Sequence, residues 1–447
     1  MDYNLLIAVG IGVFALLFMI LKLRMQAFIA LLIVCIIVGI GAGLSPDVIF
    51  ESIKNGMGNT LGFVATVVGL GALFGGLLEN SGGARGLATY ILKLFGDKNA
   101  SWALMVTGFI VAIPVFFDVA FIILIPLVYA IAKKTGKSLL LYAIPLLAGL
   151  AITHSFIPPT PGPIAVADIL GANLGWVIVF GFIVGIPAAI IGGPLFASYI
   201  SKRIEVVPPE MNLVVDEEVT SPNPFTIIGI IVLPILLIVI KTLLLGDWFD
   251  HESLPKQVIY IVSLLGHPFS ALLIANLLAW YVLGVRRGVG KDVLLKLSME
   301  SFKPAGAIIL LTGAGGAFKQ ILVDTKVGEL LASTLQDAAI HPLLFAFIIA
   351  SLIRVLQGSA TTAMIASAGI MSPVIASGDF SPAQIALTVI AVASGSTILS
   401  HVNDSGFWLV GQYLGLTEKQ TFRSWTVMTT LIALTGLFTA MICWYLF

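Results

Sequence analysis

Apolar stretches of about 17 to 25 residues, the length a helix needs to cross a bilayer, recur from residue 4 to the end of this 447-residue chain. No other feature constrains the fold as strongly. With 59% hydrophobic and only 10% charged residues, the chain carries more apolar surface than a soluble core of ordinary composition can bury. It reads as an all-α polytopic protein embedded in the lipid bilayer. A formal net charge of zero gives nucleic acid no reason to bind. Cys35 and Cys443 lie inside apolar spans without metal-type neighbours, so both read as packing residues and no metal site is expected. A signal peptide carries its positive charge before the apolar segment; here Lys22 and Arg24 follow it, so the first span reads as retained.

The positive-inside rule orients the spans. Placing Lys22 and Arg24 inside puts the N-terminus outside, and spans at 4–22, 26–44 and 60–79 then alternate to a basic loop with Arg85, Lys93 and Lys98. Residues 102–132 break that alternation, because the loop after them, with Lys133, Lys134 and Lys137, is equally basic. A re-entrant hairpin with its tip at Phe117 and Asp118 resolves the conflict; such irregular backbone is tolerated at membrane depth only where protein or a cavity surrounds it. A broken helix at 139–170, interrupted by HSFIPPTPGP, and a span at 174–200 complete a first repeat over residues 1–205. Residues 206–224, acidic and proline-containing with Glu210, Asp216, Glu217 and Glu218, read as a cytoplasmic linker. Residues 225–447 repeat the pattern upside down: spans at 225–245, 257–284 and 305–323, a hairpin at 342–376 with GSATT at its tip, a broken helix at 383–416 interrupted at SHVNDSG, and a span at 425–446. Both termini then lie outside. A shift of 244 positions superposes Gly69, Gly71, Phe74 and Leu78 on Gly313, Gly315, Phe318 and Leu322. The expected fold is two inverted-topology repeats with about 10 transmembrane helices, two re-entrant hairpins and two broken helices.

Crossed repeats would bring the four breaks together near the midplane. Freed backbone groups there must find one another, a ligand or water, and half-helix N-termini favour an anion. Candidate substrate-binding residues are His154, Ser155, Thr160, Gly162, Ser359, Thr361, Thr362, His401 and Asn403, with Ser400 a further hydroxyl at the second broken helix. Hydroxyls, amides and imidazoles in that number suit a polyhydroxylated ligand. Each has a plainer reading as well: a single membrane hydroxyl usually bonds to its own helix, and a histidine can be a satisfied interior residue. Asp118 and Asp404 are the candidate proton-coupling groups, since a carboxylate at mid-membrane costs about 2.5 to 3.5 kcal/mol on insertion scales and normally meets a cavity, a partner or a transported ion. The competing role is a helix cap. Arg354 could attract a substrate carboxylate or pair with an Asp, whereas Lys319 and Glu79 sit near span ends where long side chains reach the interface. Neither HExxH nor GxSxG occurs, and no catalytic residue is expected.

Six motifs in order, GGARGLA (82–88), IPVFFDV (113–119), THSFIPPTPGP (153–163), GAGGAFKQILVDTKVG (313–328), QGSATTA (357–363) and SHVNDSGFWLV (400–410), make the chain resemble the gluconate permease family over essentially its whole length. The resemblance implies a proton-coupled importer of a small hydroxylated organic anion, gluconate or a related sugar acid, in the bacterial inner membrane. It further implies an elevator-type fold that moves a substrate-carrying domain against a fixed scaffold, a homodimer built on that scaffold, and no cofactor beyond the co-transported proton. The chain departs from the family pattern at Thr160, where His is expected, at Ser405, where Pro is frequent, and at Asp118, where some relatives carry Glu. A sodium-coupled carboxylate symporter and a permease for D-serine or another small anion are the alternative readings.

Overall fold

The computed structural model describes residues 3–208, 221–245, 254–325 and 340–447, and every regular element among them is helical. Eight of these helices are long and apolar enough to cross a membrane. Most of the expected linker at 206–224, including its four acidic residues from Glu210 onward, lies outside the described residues.

Helices α1 (Tyr3–Leu21), α2 (Ala27–Gly41) and α3 (Pro46–Asn80) open the chain. The third span begins well before the expected residue 60. Ser45 caps α3 by accepting from the Val48 amide at 3.4 Å, and Pro46 starts it, but its first turns carry Asp47, Glu51 and Asn55, so no purely apolar window marks them. The expected basic loop that follows contains an amphipathic helix, α4 (Gly83–Phe95), which buries Leu87, Ala88 and Ile91 on one face. Next come α5 (Ala100–Val111), α6 (Phe117–Thr135), α7 (Leu140–Phe156) and α8 (Pro161–Leu170), with the chain leaving helical geometry at residues 112–116 and 157–160. Helix α9 (Leu174–Ile190) passes through a π-helical turn at Ile191–Leu195 into α10 (Phe196–Ile200).

Beyond the linker stands α11 (Pro224–Leu244). The span expected over 257–284 is instead two helices, α12 (Lys256–Leu265) and α13 (Pro268–Ala279), because Gly266 interrupts it and His267 starts a new helix by accepting from the Phe269 amide at 3.2 Å. Helices α14 (Lys291–Ser301) and α15 (Lys303–Asp324) follow. Then come α16 (Pro342–Gln357) and α17 (Ala360–Ser377), separated by Gly358 and Ser359, and α18 (Pro382–Thr397) and α19 (Ser405–Leu414), separated by residues 398–404. The chain closes with α20 (Glu418–Thr421), a π turn at Phe422–Thr426 and α21 (Val427–Trp444).

Packing separates these helices into recognisable groups. The α3/α15 contact is the most extensive, and it is a backbone-to-backbone crossing: a Cβ on Gly56 would stand 2.5 Å from the Gly316 oxygen, and one on Gly316 would stand 2.6 Å from the Gly56 oxygen. Helix α5 packs along α7, and α16 packs along α18 in the same manner. The two short half-helices differ. Helix α8 is wedged among α17, α3 and α18, whereas α19 makes only slight contact with α6, α20 and the adjoining π turn.

Candidate binding cavity at the helix breaks

A cavity of about 670 Å³ lies where four breaks converge, a size suited to a small polar molecule. Its wall takes Phe117 and Asp118 from the start of α6, His154 and Ser155 from the end of α7, Gln357 to Thr361 from the α16–α17 turn, and Asn403 to Gly406 from the start of α19. Three helices, α6, α17 and α19, therefore begin at the cavity and present the positive ends of their dipoles to it. Local sequence explains the turn at α16–α17. Gly358 adopts φ +89°, and a Cβ there would stand 2.2 Å from the Asn403 oxygen, so glycine alone closes the turn against the facing break. Ser359 then caps α17, accepting from the Thr362 amide at 3.3 Å.

The charged groups divide into one pair and one single carboxylate. Arg354 is only 4% exposed, and its Nη2 donates to Asp404 Oδ2 at 2.6 Å. Asp404 also accepts from the Ser400 hydroxyl, and through Oδ1 from the Gly406 amide at 3.1 Å, which makes it the cap of α19 as well as the partner of Arg354. Asp118 makes no hydrogen bond or ion pair among the described residues and stands exposed at the cavity.

Several buried polar atoms here are left over. Arg354 Nε and Nη1, His154 Nδ1 and Gln357 Oε1 are buried and make no hydrogen bond among the described residues, and all three residues line this cavity. A buried polar group without a partner costs about 1–3 kcal/mol, and more when charged. A cation, an imidazole and an amide on the wall of one cavity are groups that complement a hydroxylated anion.

The cavity brings together His154, Ser155, Ser359, Thr361, Asn403, Asp118 and Asp404. Thr160, Gly162, Thr362 and His401 are not among its lining residues. Thr160 is buried, donates its hydroxyl to the Ile157 carbonyl at 2.7 Å and faces α3 near Val68 and Gly71. Gly162 packs on Met364. The Thr362 hydroxyl donates to Ser359 Oγ at 3.0 Å. His401 Nε2 lies 2.9 Å from the Val355 carbonyl oxygen, and Asn403 Nδ2 donates to the same oxygen at 2.9 Å and to Leu356 at 3.2 Å, so together they satisfy the open C-terminus of α16. Gln357 and Trp425 join the wall without having been singled out in the sequence. Gln357 adjoins the GSATT tip and could have been found there; Trp425 lies in an apolar span and offered no signal. Lys319, expected at the interface, is half-buried on α15 within electrostatic reach of Asp168 on α8.

These features define a multi-pass helical membrane protein with a cavity at the breaks of its own helices, lined by charged and polar side chains among apolar ones. The profile of the GntP family permeases matches residues 4–446, and the chain belongs to that family. Its relatives include the low-affinity gluconate transporter of Escherichia coli K12, 38% identical over 99% of this chain and 98% of that one. The Gnt-II system L-idonate transporter of the same organism is 39% identical over 97% of each chain, and a gluconate permease of Pseudomonas aeruginosa is 38% identical over 98% and 96%. Family membership makes the chain a membrane transporter and not an enzyme. Two solved transporters share its fold at 15% identity: MtrF of Neisseria gonorrhoeae, with TM-score 0.63 over 90% of this chain and 85% of that one, and YdaH of Alcanivorax borkumensis, with TM-score 0.63 over 90% and 89%.

Proposed function

We propose that this chain is a proton-coupled importer of gluconate or a closely related sugar acid. The observation that carries the reading is the meeting on one cavity wall of Arg354, His154 and Gln357, each bearing a buried polar atom without a hydrogen bond among the described residues. The substrate carboxylate takes Arg354 as its counter-ion, accepting from a guanidinium N–H that Asp404 leaves unused, while Ser155, Ser359, Thr361, Asn403, His154 and Gln357 meet its hydroxyls. Asp118 carries the proton. Asp404 is committed as an acceptor to Arg354, Ser400 and the Gly406 amide, whereas Asp118 has no hydrogen-bond or ion-pair partner among the described residues. With Asp118 ionised, a bound monoanion adds to two carboxylates against one guanidinium; protonating Asp118 removes one negative charge, so proton and substrate favour each other's binding.

The arrangement of the helices supports a reading of alternating access. Residues 1–205 and 225–447 act as inverted repeats joined by the linker at 206–224, a reading supported by the matched packing of α5 on α7 and α16 on α18. The unit that carries the breaks moves past the α3/α15 scaffold in an elevator motion. The tight seat of α8 and the loose one of α19 support reading this as an inward-open form, with α19 leading to the cytoplasmic end on the charge-based topology. The protein works in the bacterial inner membrane, with both termini outside, as a homodimer on its scaffold and without a cofactor.

The test is uptake of labelled gluconate by proteoliposomes with an imposed inside-alkaline pH gradient. Accumulation above equilibrium, competed by other sugar acids, is expected. Uptake indifferent to the pH gradient, or driven by sodium at fixed pH, would overturn proton coupling.

A further inference from the structure

We propose that Trp425 is a positioning residue for anion recognition, holding Arg354 in place through Ser400 and Asp404; the proposal rests on the reading of Arg354 as the carboxylate anchor. The indole Nε1 donates to Ser400 Oγ at 2.6 Å, the Ser400 hydroxyl donates to Asp404 Oδ2, and that same oxygen accepts from Arg354 Nη2 at 2.6 Å. Polarity along this line is forced. An indole N–H can only donate, so the serine oxygen must accept from it and turn its single proton toward Asp404. Asp404 is thereby kept an acceptor that holds the guanidinium by one N–H, and Nε and Nη1 make no hydrogen bond among the described residues.

The need for such a relay lies in the ion pair itself. Arg354 reaches Asp404 through a single hydrogen bond rather than a two-point fork, which leaves the guanidinium free to turn unless the carboxylate is fixed. Ser400 fixes it and is itself pinned: its amide donates to Thr429 Oγ1 at 3.3 Å, and the Thr426 hydroxyl donates to its carbonyl at 2.5 Å. Trp425, Thr426 and Thr429 all come from the π turn and the helix that follows it, and π turns inside α-helices recur at functional positions. The indole ring also packs on Phe117, with centroids 5.5 Å apart, beside Asp118 on the opposite side of the cavity. One side chain therefore touches both the Ser400–Asp404 relay and Phe117, the neighbour of Asp118 in sequence.

Only the second half of the chain holds this device. Shifted by the 244 positions that superpose Gly69 on Gly313, Trp425, Ser400, Asp404 and Arg354 fall on Gly181, Phe156, Thr160 and Ile110. None of those four can make the relay, so it belongs to recognition and not to the repeated scaffold.

The experiment measures labelled gluconate uptake in proteoliposomes with the full chain. Trp425→Phe keeps the ring and loses the N–H; Ser400→Ala breaks the relay at its next member. Each is expected to raise KM about ten-fold with Vmax retained, and the double variant is expected to be no worse than either alone. Ser400→Thr, which restores the hydroxyl, should recover most of the loss. Ser396→Ala, equally buried but bonded only to its own helix at Ala393, should leave KM unchanged. An unchanged KM in Trp425→Phe or Ser400→Ala, or additive losses in the double variant, would overturn the relay. Arg354→Gln separates the two ideas: if it leaves KM unaltered, the anchor itself is wrong, whereas if it raises KM while Trp425→Phe does not, only the relay fails.

Discussion

A buried arginine with one N–H on a carboxylate and two atoms unused is costly unless something else completes it. On the proposed reading, Arg354 is the residue on which affinity depends most. Lysine at this position keeps the charge but offers no planar edge to a carboxylate. We expect Arg354→Lys to raise KM for gluconate by about ten-fold or more, measured as initial uptake rate against concentration, with protein yield and melting behaviour close to the parent. Residue types at the breaks were legible in the sequence, and so was the ambiguity of Asp404, which is both cap and ion-pair partner. Side-chain directions were not. At a break the chain leaves the 3.6-residue period, and the neighbours that capture a side chain come from elsewhere. Thr160 turns to Ile157, and His401 turns to Val355 because α16 ends there with open carbonyls.

Helix breaks are also where elements depend on single residues. The α16–α17 turn rests on Gly358, whose positive φ and close approach to Asn403 exclude a side chain. Gly358→Ala adds left-handed strain of about 1–2 kcal/mol and a clash with the facing break. The expected result is a lower melting temperature in detergent together with lost uptake; a variant with parental melting and transport would show that the turn tolerates rearrangement. Long apolar elements were readable because hydropathy reports them directly, and the proline- and glycine-rich interruptions marked the four breaks. Elements with mixed character escaped. Helix α4 is amphipathic and only 13 residues long, the start of α3 is polar, and the α12–α13 hinge depends on a cap at His267 inside an apolar run. The π turns at Ile191–Leu195, Trp280–Gly284 and Phe422–Thr426 leave no periodic signature at all, yet one of them delivers Trp425 to the cavity.

For the whole molecule, the proposed inward-open reading of the unequal seating of α8 and α19 is open to test. Ser405 is exposed at the start of α19 and lines the cavity, while Cys35 and Cys443 are buried and offer little background to a thiol reagent. A membrane-impermeant maleimide is expected to label Ser405→Cys in inside-out vesicles and much less in intact cells, with gluconate slowing the reaction. Preferential labelling from outside would reverse the assigned orientation. The account joins one anion at Arg354 to one proton at Asp118, and its most direct test follows the proton itself. In proteoliposomes loaded with a pH-sensitive dye, adding gluconate outside should acidify the lumen in step with uptake, and Asp118→Asn should take up gluconate down its gradient without acidification. Gluconate entry with no lumenal acidification in the parent protein, or an undiminished signal in Asp118→Asn, would contradict it.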